Sequence, residues 1–447
     1  MAAVIDEQNP QLEYSVKEQR GWYIYDWANS VFSTTVVTLF FGPYITSIAR
    51  HAADAQGLVH PFGIPVDHRS YYGYLVSLSV LMQVFFLPVL GALADYSHQK
   101  KAILGWLAYI GAGGTVLMYF INGDNYLYGG AMFLLANLSF GASIVVYNSF
   151  LPDIAPEQDR DTVSSKGFAW GYAGGGLLLA LNLGLYTFRE KLGIEESLAV
   201  RISLASAGLW WGAFTLVTLK ALRNRGAKRS AESGEGVLTT GFKQLFRTLS
   251  EMRKYPQTLT FLVAYLIYND AIQTVISLAS QFGSDELHIE LDKLTLAILM
   301  VQIVAFPGAM LFNWLAKAIK AKWAIVTTLV IWTLVVIAMY GFVKTTAEFF
   351  IAAAVVALVL GGSQALSRSL YSLMIPHGRE AEYYSLYEIS DKGTSWLCPL
   401  IFGLALQYTK SYRLAILSLI VFFILGLVVL IKVNVRQATI EAGNEPV

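Results

Sequence analysis

The chain has 447 residues, 55% of them hydrophobic and only 14% charged, with a mean hydropathy of +0.51. Soluble domains carry about a quarter charged residues, so this surface is too poor in charge to be solvated throughout, which excludes a soluble globular protein. A net charge of +1 and a single cysteine, Cys398, exclude a strong electrostatic hold on nucleic acid and an internal disulfide.

Residues 1–19 are polar, with Asp6, Glu7, Glu13 and Glu18, and the first apolar run begins only near Trp22. The stretch therefore reads as a short cytoplasmic tail and not as a secretory signal. Crossing the hydrocarbon takes about 20 mostly apolar residues. Twelve segments approach that length: 22–49, 71–94, 102–121, 127–150, 166–188, 199–220, 257–282, 294–316, 324–343, 348–374, 383–408 and 411–432. The first and eleventh are the most polar of the set. Continuous runs of this kind predict an all-α membrane protein with twelve transmembrane helices, since a barrel needs alternating strands of about ten residues.

The longest interior polar stretch, 223–256, divides the chain into an N-terminal six-helix bundle (1–222) and a C-terminal one (257–447). Counting Lys and Arg by alternating loops gives 21 on the side of this linker, 9 on the other and 2 inside spans. The positive-inside rule then predicts cytoplasmic termini and a cytoplasmic linker. Internal repetition matches the division. Asp26-Trp-Ala-Asn29-Ser30-Val31-Phe-Ser33 in the first span recurs as Asp270-Ala-Ile-Gln273-Thr274-Val275-Ile-Ser277 in the seventh. Lys166-Gly167-x-x-Trp170 opens the fifth span and Lys392-Gly393-x-x-Trp396 the eleventh. Duplication predicts two pseudo-symmetric halves, and parallel repeats of this kind build the major facilitator architecture.

Ionisable groups inside a span cost several kcal/mol unless they are paired or face water, so each is a candidate for function. Asp26, Asn29, Ser30 and Ser33 lie at i, i+3, i+4 and i+7 on one helix face. Asp270, Gln273, Thr274 and Ser277 repeat that stripe, with Asn269 adjacent. Two such stripes facing a central cavity would offer a carboxylate and hydrogen-bonding groups from each half. The bland alternative is that they are hydrogen bonds holding the bundle together. Arg368 lies in Gly361-Gly-Ser-Gln364-Ala-Leu-Ser-Arg368-Ser369. A permanent guanidinium there needs a carboxylate, a substrate anion or water, and Asp270 and Glu388 are the candidate partners. Glu388 and Lys392 stand at i, i+4 in the favourable order for pairing along one helix.

Gly91-Ala-Leu-Ala-Asp95-Tyr-Ser-His-Gln-Lys100-Lys101 joins the second and third spans. The glycine allows close helix approach, the aspartate caps a helix end, and the lysines are expected at the anionic inner leaflet. This resembles the Gly-x-Leu-Ala-Asp-x-x-Gly-x-Lys gating loop of the major facilitator superfamily, with His98-Gln99 in place of its second Gly and Arg. In the fifth span, Gly171 and Gly175 are spaced for tight helix packing. His51, His60 and His68 share the 50–70 loop with Asp54 and Asp67, where solvated histidines are the expectation and no metal site is.

Residues 21–44, Gly-Trp-Tyr-Ile-Tyr-Asp-Trp-Ala-Asn-Ser through Phe-Gly-Pro-Tyr, resemble the first span of the fungal vacuolar amino-acid effluxers of autophagy and their bacterial relatives. Residues 361–403 resemble that family's most distinctive stretch, through Ile375-Pro376 and Glu382-Tyr-Tyr-Ser-Leu-Tyr-Glu-Ile-Ser-Asp-Lys-Gly-Thr-Ser-Trp396. Cys398-Pro399 replaces an expected Gly-Pro, and Tyr383-Tyr384 replace phenylalanines, departures that touch packing more than chemistry. The resemblance implies a major facilitator fold and export of amino acids, with Asp26, Asn29, Gln364, Arg368, Glu388 and Lys392 at matching positions. The resulting expectation is a monomeric secondary transporter, not an enzyme, with no cofactor. It moves an amino acid or similar zwitterion, coupled to a proton or sodium ion. Its membrane is the cell membrane in a bacterium or the vacuolar membrane in a fungus. The alternative is a lipid or glycolipid flippase of the same fold, with membrane lipid as the partner.

Overall fold

The structure is a computed structural model that describes residues 4–5, 13–68, 71–225, 250–392, 397–398, 401–402, 405, 409 and 411–444. The 226–249 part of the linker and most of the eleventh segment beyond residue 392 lie outside the described residues. Among the described residues, eleven helices are long and apolar enough to cross a membrane.

The first half contains α1 (Val16–His51), α2 (Tyr71–Tyr96), α3 (Lys100–Leu117), α4 (Tyr126–Asn148), α5 (Arg160–Thr187) and α6 (Glu196–Ala221). The second contains α7 (Pro256–Gln281), α8 (Leu291–Ile319), α9 (Ala321–Gly341), α10 (Thr346–Leu373), α11 (Glu380–Lys392) and α12 (Tyr412–Lys432). At 1.5 Å per residue, the 36 residues of α1 run to about 54 Å, well beyond a hydrocarbon core of about 30 Å, so its polar start projects into the interface.

The middle of α1, Phe32–Phe40, is wound as a π-helix. Its hydroxyl side chains compete for backbone carbonyls: Ser33 Oγ donates to Ser30 O at 2.9 Å, Thr34 Oγ1 to Ser30 O at 3.0 Å, and Thr38 Oγ1 to Ser33 O at 2.8 Å. Hydroxyl back-bonding of this kind loosens the ordinary i to i−4 ladder. Helix α10 starts on a capping box, with Thr345 and Glu348 each accepting from the other's backbone N–H.

Two apolar cores form. One draws on residues between Trp22 and Leu222 together with Ala381, the other on residues between Met252 and Ala438. In the first half α1 packs on α5 and α6, and α3 on α4 and α6; in the second α8 packs on α10, and α7 and α9 on α12. The halves meet chiefly where α2 lies against α11 and where α5 lies against α8 and α10. Adding six to the helix numbers turns the pair α2–α8 into its own counterpart and α5 into α11. The α2–α11 and α5–α8 contacts are therefore the same contact seen from either half, as a pseudo-two-fold axis requires.

Candidate functional site

The site is built where α1, α4 and α5 of the first half meet α10 and α11 of the second. Asp26 and Arg368 are both buried, and Arg368 Nη1 and Nη2 reach the same oxygen, Asp26 Oδ2, at 3.4 and 3.5 Å. The shorter bonds of the guanidinium go elsewhere. Nε donates to Ser164 Oγ and Nη2 to the Ser164 carbonyl, both at 2.8 Å, and Nη1 also donates to Asn148 Oδ1 at 3.4 Å. Two aromatic faces sandwich the cation, with the Phe168 centroid 4.2 Å and the Trp22 centroid 4.7 Å from Cζ, while Tyr147 stands at 5.8 Å. A guanidinium desolvated in this way keeps its charge because oxygen acceptors and ring quadrupoles replace its water.

Several neighbours fix these groups. Ser164 Oγ donates to Ala365 O at 2.9 Å while accepting from Arg368, so one hydroxyl ties α5 to α10 in both directions. Asn148 Nδ2 donates to Glu388 Oε1 at 3.0 Å, which turns its carbonyl oxygen toward Arg368. Trp22 Nε1 donates to Tyr147 O at 3.0 Å, and the two rings stack at 4.4 Å. Gly167 supplies the space: a Cβ there would lie 2.6 Å from Asp26 Oδ2, 2.6 Å from Trp22 Cζ3 and 3.0 Å from Arg368 Nη2.

The partner of Arg368 is thus Asp26, in place of the expected Asp270 or Glu388. Asp270 is buried on α7, where its Oδ2 accepts from the Cys398 backbone N–H at 3.2 Å and Thr274 Oγ1 donates to its carbonyl at 2.7 Å. Asn29 is buried beside Asp26 and interacts with its carboxylate. Asn269 is buried and accepts from Gln364 Nε2 at 3.3 Å, linking α7 to α10. Ser33 and Gln273 are half-buried; Ser33 is satisfied within its own helix, and the Gln273 carbonyl accepts from Ser277 Oγ at 2.8 Å. Lys392 ends α11, and its side chain lies outside the described residues. Trp22, Asn148, Ser164 and Phe168 are site residues that the sequence pattern did not single out. Asn148, a polar group closing an apolar span, is the one that carried a signal.

The 91–101 segment, helical except at residues 97–99, forms a second set of ties, at the linker end of the bundle. Asp95 caps α11 of the other half, accepting from Ala381 N at 3.0 Å and Glu382 N at 2.8 Å. The carboxylate thus satisfies orphan N–H groups at the positive end of that helix. Gly91 permits the approach, since a Cβ there would sit 2.6 Å from Ala381 O. Lys100 does not face the leaflet as expected. It is buried, and its Nζ donates to Ser149 O at 2.8 Å and Asp153 Oδ2 at 3.0 Å, because a buried carboxylate and the carbonyl end of α4 hold it more strongly than lipid does. Arg379 bridges Glu251, at the end of the linker, to Glu382 on α11. Burial acts to lower the Arg379 pKa, but the two carboxylates outweigh burial and hold it above its ordinary value. Arg160 Nη1 donates to Ser372 O at 2.8 Å, and Ser369 Oγ donates to Asp161.

Two bundles related by a pseudo-two-fold axis, with buried polar groups between them, define a membrane transporter of the major facilitator type. Solved structures share the fold. The transporter FucP in its outward conformation matches with a TM-score of 0.66 at 13% identity, over 94% of this chain and 98% of that one. A bacterial homologue of the iron transporter ferroportin in its outward-facing state matches with a TM-score of 0.66 at 14% identity, over 93% and 98%. At such identities the likeness concerns the fold alone. The chain belongs to the vacuole effluxer Atg22-like family, whose model matches residues 14–443. An uncharacterized MFS-type transporter of Bacillus subtilis, YxiO, is 30% identical to it over 425 residues, which is 95% of this chain and 96% of that one. Autophagy-related protein 22 of Saccharomyces cerevisiae is 27% identical over 513 residues, covering 97% and 94%.

Proposed function

We propose that this transporter carries an amino acid or a similar small zwitterion by alternating access, driven by a proton, sodium or substrate gradient. The observation that carries the reading is the Arg368–Asp26 pair, a buried cation from one half facing a buried anion from the other. A zwitterion presents both complementary charges on one small body, so it can satisfy both groups once the halves part. A neutral solute leaves two buried charges without compensation. The effluxer in the Atg22-like family's description supports transport of a solute and leaves its class to the site. The planar fork of Arg368 suits a carboxylate in bidentate geometry, which a lysine cannot reproduce.

The test is counterflow of labelled amino acids in proteoliposomes containing the full chain, beside Arg368→Lys. Wild type should exchange at least one amino acid, and the lysine variant should lose most of that exchange while melting within a few degrees of wild type. An inert wild type, or an undiminished variant, would refute the reading.

A further inference from the structure

The oxygens that accept from the Arg368 guanidinium and the rings that lie against it come from the first half. Trp22 and Asp26 stand on α1, Tyr147 and Asn148 on α4, Ser164 and Phe168 on α5. The four atoms that accept from it are all oxygens: Asp26 Oδ2, Asn148 Oδ1, Ser164 Oγ and Ser164 O. Two ring faces close the remaining sides. With the Asn148, Ser164 and Trp22 donors engaged by other acceptors, the set offers oxygens and ring faces, which suit a cation. Trp22 is held by the Tyr147 carbonyl of the same half, while Asn148 and Ser164 are tied to Glu388 and Ala365 of the second half. The guanidinium-to-carboxylate contacts, at 3.4 to 3.5 Å, are no shorter than the one to Asn148 and longer than the 2.8 Å bonds to Ser164.

We propose that the first half carries a cation receptor formed by Trp22, Asp26, Asn148, Ser164 and Phe168, in which Arg368 is an intramolecular occupant that the substrate's ammonium group displaces. The proposal rests on the amino-acid reading of the site and assigns the two ends of the substrate. The ammonium enters the receptor of the first half, and the released Arg368 takes the carboxylate. An ammonium donates three N–H bonds in place of those of the guanidinium and presents a compact charge to Trp22 and Phe168. When no substrate is present, Arg368 fills the receptor, so neither charge is left bare in the membrane. Selection then falls on the amine: a 2-hydroxy acid can meet Arg368 but leaves Asp26 without a cation.

The test is competition with counterflow of the best-transported amino acid in proteoliposomes of the full chain. One competitor is that amino acid's carboxamide, which keeps the ammonium; the other is its 2-hydroxy acid, which lacks it. The carboxamide and the hydroxy acid should each compete on the order of a hundredfold more weakly than the parent, the scale of one charge-assisted bond lost at Arg368 and at the receptor respectively. A hydroxy acid that competes as well as the parent overturns the receptor and leaves amino-acid transport standing. Absence of all amino-acid counterflow overturns the transport reading instead. The receptor is then judged by ethylammonium chloride, which should raise the melting temperature of Arg368→Gln but not of Arg368→Gln with Asp26→Asn. Arg368→Met replaces the glutamine variant if that one does not fold. Equal shifts in the single and double variants, or no shift in either, overturn the receptor.

Discussion

Arg368 carries its charge into the interior because three helices of the other half supply oxygens and ring faces for it. Asp26 lies 342 positions away in sequence, so no local pattern could name it as the partner. The sequence did mark both residues, because an ionisable group in a span is rare and costly. It could not mark Ser164 or Phe168, which look like ordinary members of a membrane helix. Outside the membrane, Asp54 organises the 50–70 loop: Oδ1 accepts from Gln56 N and Leu58 N, each at 2.9 Å, and Oδ2 meets His60 Nε2 at 2.9 Å. The His60 contact first, and the Leu58 N–H next, hold the Asp54 carboxyl below its ordinary pKa. A depressed carboxylate stabilises the fold above its unfolded pKa of about 3.9 and loses that contribution as the pH falls through its folded value. The protection of the Gln56 and Leu58 amides, relative to their intrinsic exchange rates, should therefore hold from neutral pH down to about pH 4 and fall below it. Asp54→Asn should show faster exchange already at neutral pH. Equal protection in both proteins would show that the carboxylate does not organise this loop.

Helices α1 and α5 approach so closely that glycine is required along the seam, and different glycines serve different ends. A Cβ on Gly174 would lie 2.4 Å from Trp27 O and 2.9 Å from its Cα, against backbone that cannot yield. A Cβ on Gly171 would lie 2.6 Å from Ser30 Oγ, as the small-residue spacing of the fifth span predicts. The Cβ of Gly167→Ala would meet the tip of Asp26 and the Trp22 ring, side-chain atoms belonging to the site. Gly174→Ala should thus lower stability by about 1–3 kcal/mol, the usual cost of overpacking, measured as reduced melting temperature in detergent. Gly167→Ala should lower the melting temperature less than Gly174→Ala does, yet lose most transport. If Gly167→Ala transports normally, the Asp26–Arg368 pair is not held by this geometry.

For the whole molecule, the ties between halves collect on one side: Asp95 to α11, Arg160 to Ser372, Ser369 to Asp161 and Ser164 to Ala365. The helix ends that carry the outermost of these ties face the same way as the termini and the linker, by the even number of spans. The excess of cations on that side, 21 against 9, predicts that it faces the cytoplasm. Cysteines introduced as Ser233→Cys and Ala55→Cys, in a Cys398→Ala background, should label from opposite faces of sealed membranes. Ala55→Cys should react from outside intact cells, and Ser233→Cys only after permeabilisation. Labelling of both from one face would reject the orientation and the span count together.

The sequence by itself determined the solvent, the number of apolar segments and the duplication, because hydropathy and repeats are written along the chain and need no contact to be read. It determined the family as well, through the stretches at 21–44 and 361–403. Tertiary structure alone decided which charges meet. The sequence offered Asp270 and Glu388 as partners, and only the packing of α5 on α1 and on α10 gave Arg368 to Asp26 instead. The same packing turned Lys100 inward to Asp153 and set Asp95 on the end of α11. Pairing depends on distance in space, and with both halves carrying matching polar stripes, a linear pattern assigns the stripes but not their partners.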